Sequence, residues 1–190
     1  MKRIATVVVM LHLGVAGVYA QQTPVKMNFS GTSAPSTVNL LQPDTNNDED
    51  NFAGTGTLGS FTVRHIRAIA NSPTTSSTCS GPNQLYFQEL AGGGVFRFQD
   101  GSLLNVLLTK GGDCIDFAVP PAGEAHCTMS LQITGGTGRF KNASGTLTFT
   151  ETVVPALLGA SNTPVFFAAT GQYTGTVFGV SEEQGQDEGQ

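Results

Sequence analysis

Arg64, His65 and Arg67 crowd one short segment of the chain, and Tyr86 and Glu89 lie on the next β-patterned one. These are the residue types that bind a carboxylate, polarise an oxygen or exchange a proton. In an extended chain side chains alternate, so His65 and Arg67 share a face with Phe61 and Val63 while Arg64 points away. Aimed into a dry lumen with Glu89, the pair would work where electrostatic contacts are strengthened. Aimed at water, they would be ordinary surface ions worth about 0–1 kcal/mol, and the sequence favours this second arrangement.

Other groups carry weaker chemistry. Arg139, in a glycine-dense turn, could grip an anion through its fork of donors, although such arginines more often brace the turn by satisfying nearby carbonyls. Asp44, Asn46, Asp48 and Asp50 recur at every second residue, like the opening ligands of a calcium loop. Glu49 stands where that loop needs glycine and Thr55 where it needs a bidentate Glu, so a solvated acidic loop is the expectation. His126 has no second ligand at metal spacing, and no G-x-S-x-G nucleophile elbow is present. No cofactor is implied.

The three cysteines are an odd number for an exported protein. Cys114 and Cys127 flank Pro120–Gly123, and a hairpin centred there would set them opposite one another, which makes a Cys114–Cys127 disulfide the expected pairing and leaves Cys79 over. Pairing of Cys79 with either partner is the alternative.

The elements that position these residues are strands. Val25, Met27 and Phe29 alternate with polar residues, as do Cys127, Met129, Leu131 and Ile133, and the Thr146–Val153 segment repeats the pattern. Leu85–Leu90, Val95–Gln99 and Leu103–Thr109 read as three short segments punctuated by Gly92-Gly93-Gly94 and Asp100-Gly101, and 165–180 as a last long strand or two. Thr32–Asn51 reads as a long polar loop, and Asn71–Pro82 as a second. With only 12% charged residues and no helical period, the chain is expected to be all-β, with eight to ten antiparallel strands closed into a barrel. A β-sandwich is the alternative.

Lys2 and Arg3, the apolar run 4–18 and the small residues before Gln21 read as a secretory leader over residues 1–20. The expected barrel domain spans 21–180, followed by a disordered acidic tail, 181–190. The net charge of −5 becomes more negative once the leader is removed, and no basic patch with interleaved aromatics is present, which argues against a nucleic-acid partner. No membrane span is expected after leader removal.

Three blocks carry a family likeness: Gly54–Val63, Phe96–Leu103 and Ile133–Gly145, the last reading ITGGTGRFKNASG. In order and spacing they resemble the allene oxide cyclase and dirigent barrel superfamily, most closely its secreted, uncharacterised microbial members. The resemblance implies an antiparallel eight-stranded barrel whose lumen can take a small apolar molecule. It implies no activity, since the plant members' catalytic positions have no residue-by-residue match here. The resulting expectation is a secreted or periplasmic barrel that binds a small apolar ligand. An isomerase, cyclase or dirigent-type protein steering a reactive intermediate, and a structural extracellular module, are the alternatives, with a homo-oligomer compatible with each.

Overall fold

A computed structural model describes residues 22–120 and 122–181. The expected leader and all but the first residue of the expected acidic tail lie outside this range. Eight strands follow one another as an antiparallel meander: β1 Gln22–Pro35, β2 Thr45–Gly56, β3 Gly59–Ala70, β4 Gln84–Phe98, β5 Leu103–Asp116, β6 Glu124–Gly136, β7 Ser144–Leu158 and β8 Pro164–Phe178. Each pairs with its sequence neighbours, and β1 pairs with β8, for example Met27 opposite Tyr173, so the sheet closes on itself. The closed antiparallel barrel is the expected fold, and the sandwich alternative is excluded. Closure leaves every strand with two partners, which removes exposed edges.

The inward parity carries the core. Val25, Met27 and Phe29 of β1, Leu131 and Ile133 of β6, and Leu147 and Phe149 of β7 are buried. One half of the lumen is filled by rings: Phe29 stacks on Phe52 at 4.5 Å and Phe149 at 5.3 Å, while Phe61 and Phe96 surround Tyr173 at 6.0 and 4.9 Å. Each such ring contributes roughly 1.5–3 kcal/mol by leaving water. The short 3₁₀ turn Gly138–Phe140 inserts Phe140 against Phe98, ring centres 4.8 Å apart, and plugs this end.

Three sequence expectations are corrected. The polar interval Thr32–Asn51 is mostly strand: β1 runs to Pro35 and β2 starts at Thr45, because Asn46, Asp48 and Asp50 alternate inward and need no apolar neighbours to do so. Asn46, Asp48 and Asp50 therefore lie on β2, with Asp44 in the turn before it, and not in the expected solvated acidic loop. Gly92–Gly94 do not interrupt the sheet. They lie inside β4, where Gly94 faces His65 and Gly92 faces Arg67 across the β3–β4 ladder. A Cβ on Gly94 would land inside the His65 ring, so glycine is needed there for close approach.

The disulfide is Cys79–Cys114, with Cα atoms 5.5 Å apart, and not Cys114–Cys127. In the β5–β6 ladder Asp113, not Cys114, lies opposite Cys127. That register differs by one residue from the hairpin expected around Pro120–Gly123, and a one-residue difference moves a side chain to the other face. Cys127 is therefore a buried free thiol, and Cys114 ties β5 to the 71–83 loop.

Native protein should accordingly show no thiol reactive to an aromatic disulfide reagent, with one appearing on unfolding, and peptide mapping should link Cys79 to Cys114. Cys79→Ser should lower stability by about 2–4 kcal/mol in denaturant titration. A Cys114–Cys127 peptide would contradict the register.

Candidate functional site

Towards the other end of the barrel the inward residues change from rings to acids. Asp50 from β2, His65 and Arg67 from β3, Glu89 from β4, Asp113 and Cys127 from the β5–β6 pair and Glu151 from β7 are all buried. Arg67 is the hub. Its Nη2 donates to Asp50 Oδ1 at 3.0 Å while Nε lies 2.8 Å from Asp50 Oδ2, and Nη1 donates to Glu89 Oε1 at 2.8 Å. The same Nη1 is 3.2 Å from Cys127 Sγ and 3.7 Å from Asp113 Oδ1, and Nη2 is 3.6 Å from Glu151 Oε2.

Two β-bulges aim this cluster. On β4 the even-numbered residues Phe98, Phe96, Gly94 and Gly92 face inward until the β3–β4 register shifts between Ala68 and Ile69, after which Glu89 faces inward. On β5, Leu104 and Val106 are inward. A shift between Leu108 and Lys110 then turns Asp113 into the lumen. A bulge adds one residue to a strand and so reverses the parity beyond it. Gly111 leaves room for the result, since a Cβ there would lie 2.7 Å from Met129 Cγ and 3.1 Å from Glu89 Oε2.

The electrostatics follow from many acids sharing one buried cation. Burial lifts the Glu89 carboxyl to about 8 even against the pull of Arg67. Burial likewise raises Asp113 and Glu151 and pushes the Cys127 thiol upward. Burial opposes the Arg67 charge, yet Asp50 and Glu89 outweigh it and hold the guanidinium pKa well above its usual value. His65 is drawn down to about 4 by burial, despite Asp50, so its imidazole is neutral at pH 7. It sits 3.5 Å from the Tyr173 hydroxyl, edge-on to the rings of Phe52, Phe96 and Phe149.

Above the cluster the barrel opens into a cavity of about 240 Å³. Ile69, Phe87, Ile115, Phe117, Val153 and Phe167 give it apolar walls, and Ser33, Asn46, Asp48, Arg67, Asn71 and Asp113 are its polar groups. Asp48 is lifted to about 6, chiefly by burial. The cavity therefore offers a guanidinium and two carboxyls at the inner end of an oily mouth.

The sequence-derived candidates divide. His65, Arg67 and Glu89 converge inside the lumen, which corrects the expectation that they are surface ions. Only Arg64 behaves that way, pairing with Glu49 at 2.8 Å on the outer wall. Tyr86 is separated from them: it pairs with Cys114, lies over Gly112 on the outward parity, and donates its hydroxyl to Gly111 O at 3.0 Å. Arg139 braces the plugged end, donating to Leu58 O at 2.6 Å, lying 2.8 Å from Asp100 Oδ2 and covering the Phe98 and Phe140 rings. Asp113 and Glu151 were absent from the sequence-derived set, as were Asp48, Asp50 and Cys127 in their actual roles.

No known protein-family profile matches the chain, and no curated protein matches it. Among solved structures, one match is the pterocarpan synthase dirigent protein GePTS1, 14% identical, covering 93% of this chain and 100% of that one, with a TM-score of 0.33. Another is Ail, the attachment invasion locus protein of Yersinia pestis, 12% identical over 83% of this chain and 98% of its own, with a TM-score of 0.18. Among the described residues no helix is long and apolar enough to cross a membrane.

Replacing Arg67 with Leu should cost about 3–5 kcal/mol near pH 7, because the carboxyls around it lose their counter-ion. Without the cation the native pKa values of Glu89, Asp113 and Glu151 rise further above the unfolded values of about 4. The variant's stability should then hold at acidic pH and fall more steeply than wild type as pH rises. Urea titrations of both proteins at pH 5 and pH 8 check this, and parallel pH profiles would contradict the hub role. His65 contributes with the opposite sign: the unfolded imidazole takes up a proton near 6.5 and the native one near 4, so its share of stability grows with pH across that window.

Proposed function

We propose that this protein binds a small, largely apolar molecule in the mouth cavity, with its polar end directed at Arg67, Asp48 and Asp113. The observation that carries the reading is the joining of an apolar-walled cavity to buried ionisable groups that exceed what folding needs. A barrel stabilised only by its core would be better served by well-packed apolar residues at these positions. The volume of about 240 Å³ lies under the usual 300–1,000 Å³ of ligand pockets, which favours a one- or two-ring molecule over a long acyl chain. The disulfide fits an oxidising compartment, in keeping with the secretory leader read from residues 1–20. The likeness of the Gly54–Val63, Phe96–Leu103 and Ile133–Gly145 blocks to dirigent-type barrels points the same way.

A second reading, acid-assisted isomerisation or cyclisation, is favoured by one feature. Asp113 lines the cavity, its carboxyl is held up by burial, and Arg67 stands beside it. A protonated carboxyl next to a fixed guanidinium can donate to a ligand oxygen while the guanidinium stabilises the charge that develops. Turnover of a bound apolar epoxide would then fall on the order of 10²–10⁴-fold in Asp113→Asn, with KM little changed.

The binding reading is tested with a naphthalene-based fluorescent probe, which suits a chain that has no Trp. Saturable uptake at one probe per barrel is expected, and Ala125→Phe, which fills the cavity from its wall, should abolish it. Uptake unchanged in Ala125→Phe, or none across a panel of small aromatic probes, would refute the cavity as the site.

A further inference from the structure

The acids at the inner end of the cavity are present in excess of anything the fold uses to neutralise them. Asp48, Asp50, Glu89, Asp113 and Glu151 share one guanidinium, and His65 beside them is neutral. Arg67 is committed to Asp50 through two nitrogens and to Glu89 through a third contact. Its approaches to Asp113 at 3.7 Å and Glu151 at 3.6 Å are too long for hydrogen bonds. Glu89 Oε2 and both Glu151 carboxyl oxygens are buried without any hydrogen-bond partner, although both side chains are fully enclosed. With its carboxyls ionised the cluster would carry more acceptors and negative charge than Arg67 and the Cys127 thiol can meet, which is why burial holds Glu89, Asp113 and Glu151 toward their protonated forms.

The mouth is built of matching chemistry. Asp48 on β2 and Asp113 on β5 reach the cavity from strands three apart, so a group at its centre meets carboxyls from two directions. Phe87, Phe117 and Phe167 stand in the wall, with the Phe87 and Phe117 rings edge-to-face at 6.3 Å. Ring faces attract cations through their quadrupole. An ammonium brings three donors and one charge, which is what the cluster is short of. A carboxylate brings acceptors and the wrong sign.

We propose that the cavity selects apolar molecules bearing a protonated amine, held by Asp48 and Asp113 beneath an aromatic mouth. The inference rests on the binding reading above and specifies its ligand. Arg67 serves here as a positioning residue: by satisfying Asp50 and Glu89 it leaves the two mouth carboxyls for the ligand.

The test uses three probes with one body, 2-naphthylmethylamine, 2-naphthalenemethanol and 2-naphthoate, titrated by fluorescence at neutral pH in about 0.15 M and about 0.5 M salt. The amine should bind at least about tenfold more tightly than the alcohol, and the carboxylate most weakly. Asp48→Asn and Asp113→Asn should each cut the amine's lead over the alcohol by about tenfold, with an unchanged far-UV circular dichroism spectrum and urea midpoint showing that the variants are folded. The lead should survive the higher salt, because enclosed pairs are screened much less than surface charge. A carboxylate that equals or exceeds the amine, a lead that survives both substitutions, or one that collapses with salt overturns the charge preference. Alcohol and amine binding equally would also overturn it while leaving the cavity as the site. Failure of all three to bind would take the binding reading down as well.

Discussion

A single guanidinium inside a closed barrel is the constraint around which this structure is arranged. Arg67 is almost wholly buried and finds its partners on the neighbouring walls, Asp50 on one side and Glu89 on the other, each at hydrogen-bonding distance. Charges taken out of water this way cost several kcal/mol each before the geometry returns anything. The contacts must therefore be held by something stiffer than the side chains themselves. Closure supplies the stiffness: β2, β3 and β4 are fixed relative to one another by ladders on both sides of each strand, and no edge is free to slide.

The lumen is divided to suit this hub. Phe29, Phe52, Phe96, Phe149 and Tyr173 fill one half with rings packed on one another, and Phe140 with Arg139 above it seals that end. The aromatic layer is thus also the dielectric floor of the acidic layer, and His65, pressed against those rings, marks the boundary. Its neutrality at pH 7 is the result of standing on the oily side. Glycines absorb the size mismatch between layers. Gly94 yields its volume to the imidazole, and Gly111 yields it to Met129 and Glu89.

Much of this was legible in the residue order. Alternation located the inward residues of β1 and β6 and the apolar ones of β7, because apolar and polar residues there follow the two-residue period, with Glu151 the polar residue that breaks it on β7. The same rule set His65 and Arg67 on the face of Phe61 and Val63. It failed where an inward position is polar. Asn46, Asp48 and Asp50 look like a loop because hydropathy cannot distinguish a carboxylate facing a buried arginine from one facing water. It failed again where a bulge changes parity. Glu89 and Asp113 both lie just beyond one, and neither Leu90 nor Thr109 carries a glycine to announce it. The three consecutive glycines of β4 were the overlooked signal: small residues at alternate positions opposite a histidine and an arginine mean that those large side chains are pointing at them.

The disulfide belongs to the same logic. Cys114 neighbours Asp113 in sequence and therefore faces the other way, outward, where Cys79 in the 71–83 loop meets it. Were β5 to slip by one residue against its partners, Asp113 would turn to the outer wall and Cys114 would enter the lumen, out of reach of Cys79. A covalent tie on the outside thus opposes the slip that would remove a carboxyl from the inside. The bulge at Leu108–Lys110 creates the parity that the site requires, and the Cys79–Cys114 bond holds it. The outer wall and the acidic lumen are in this way two consequences of one register.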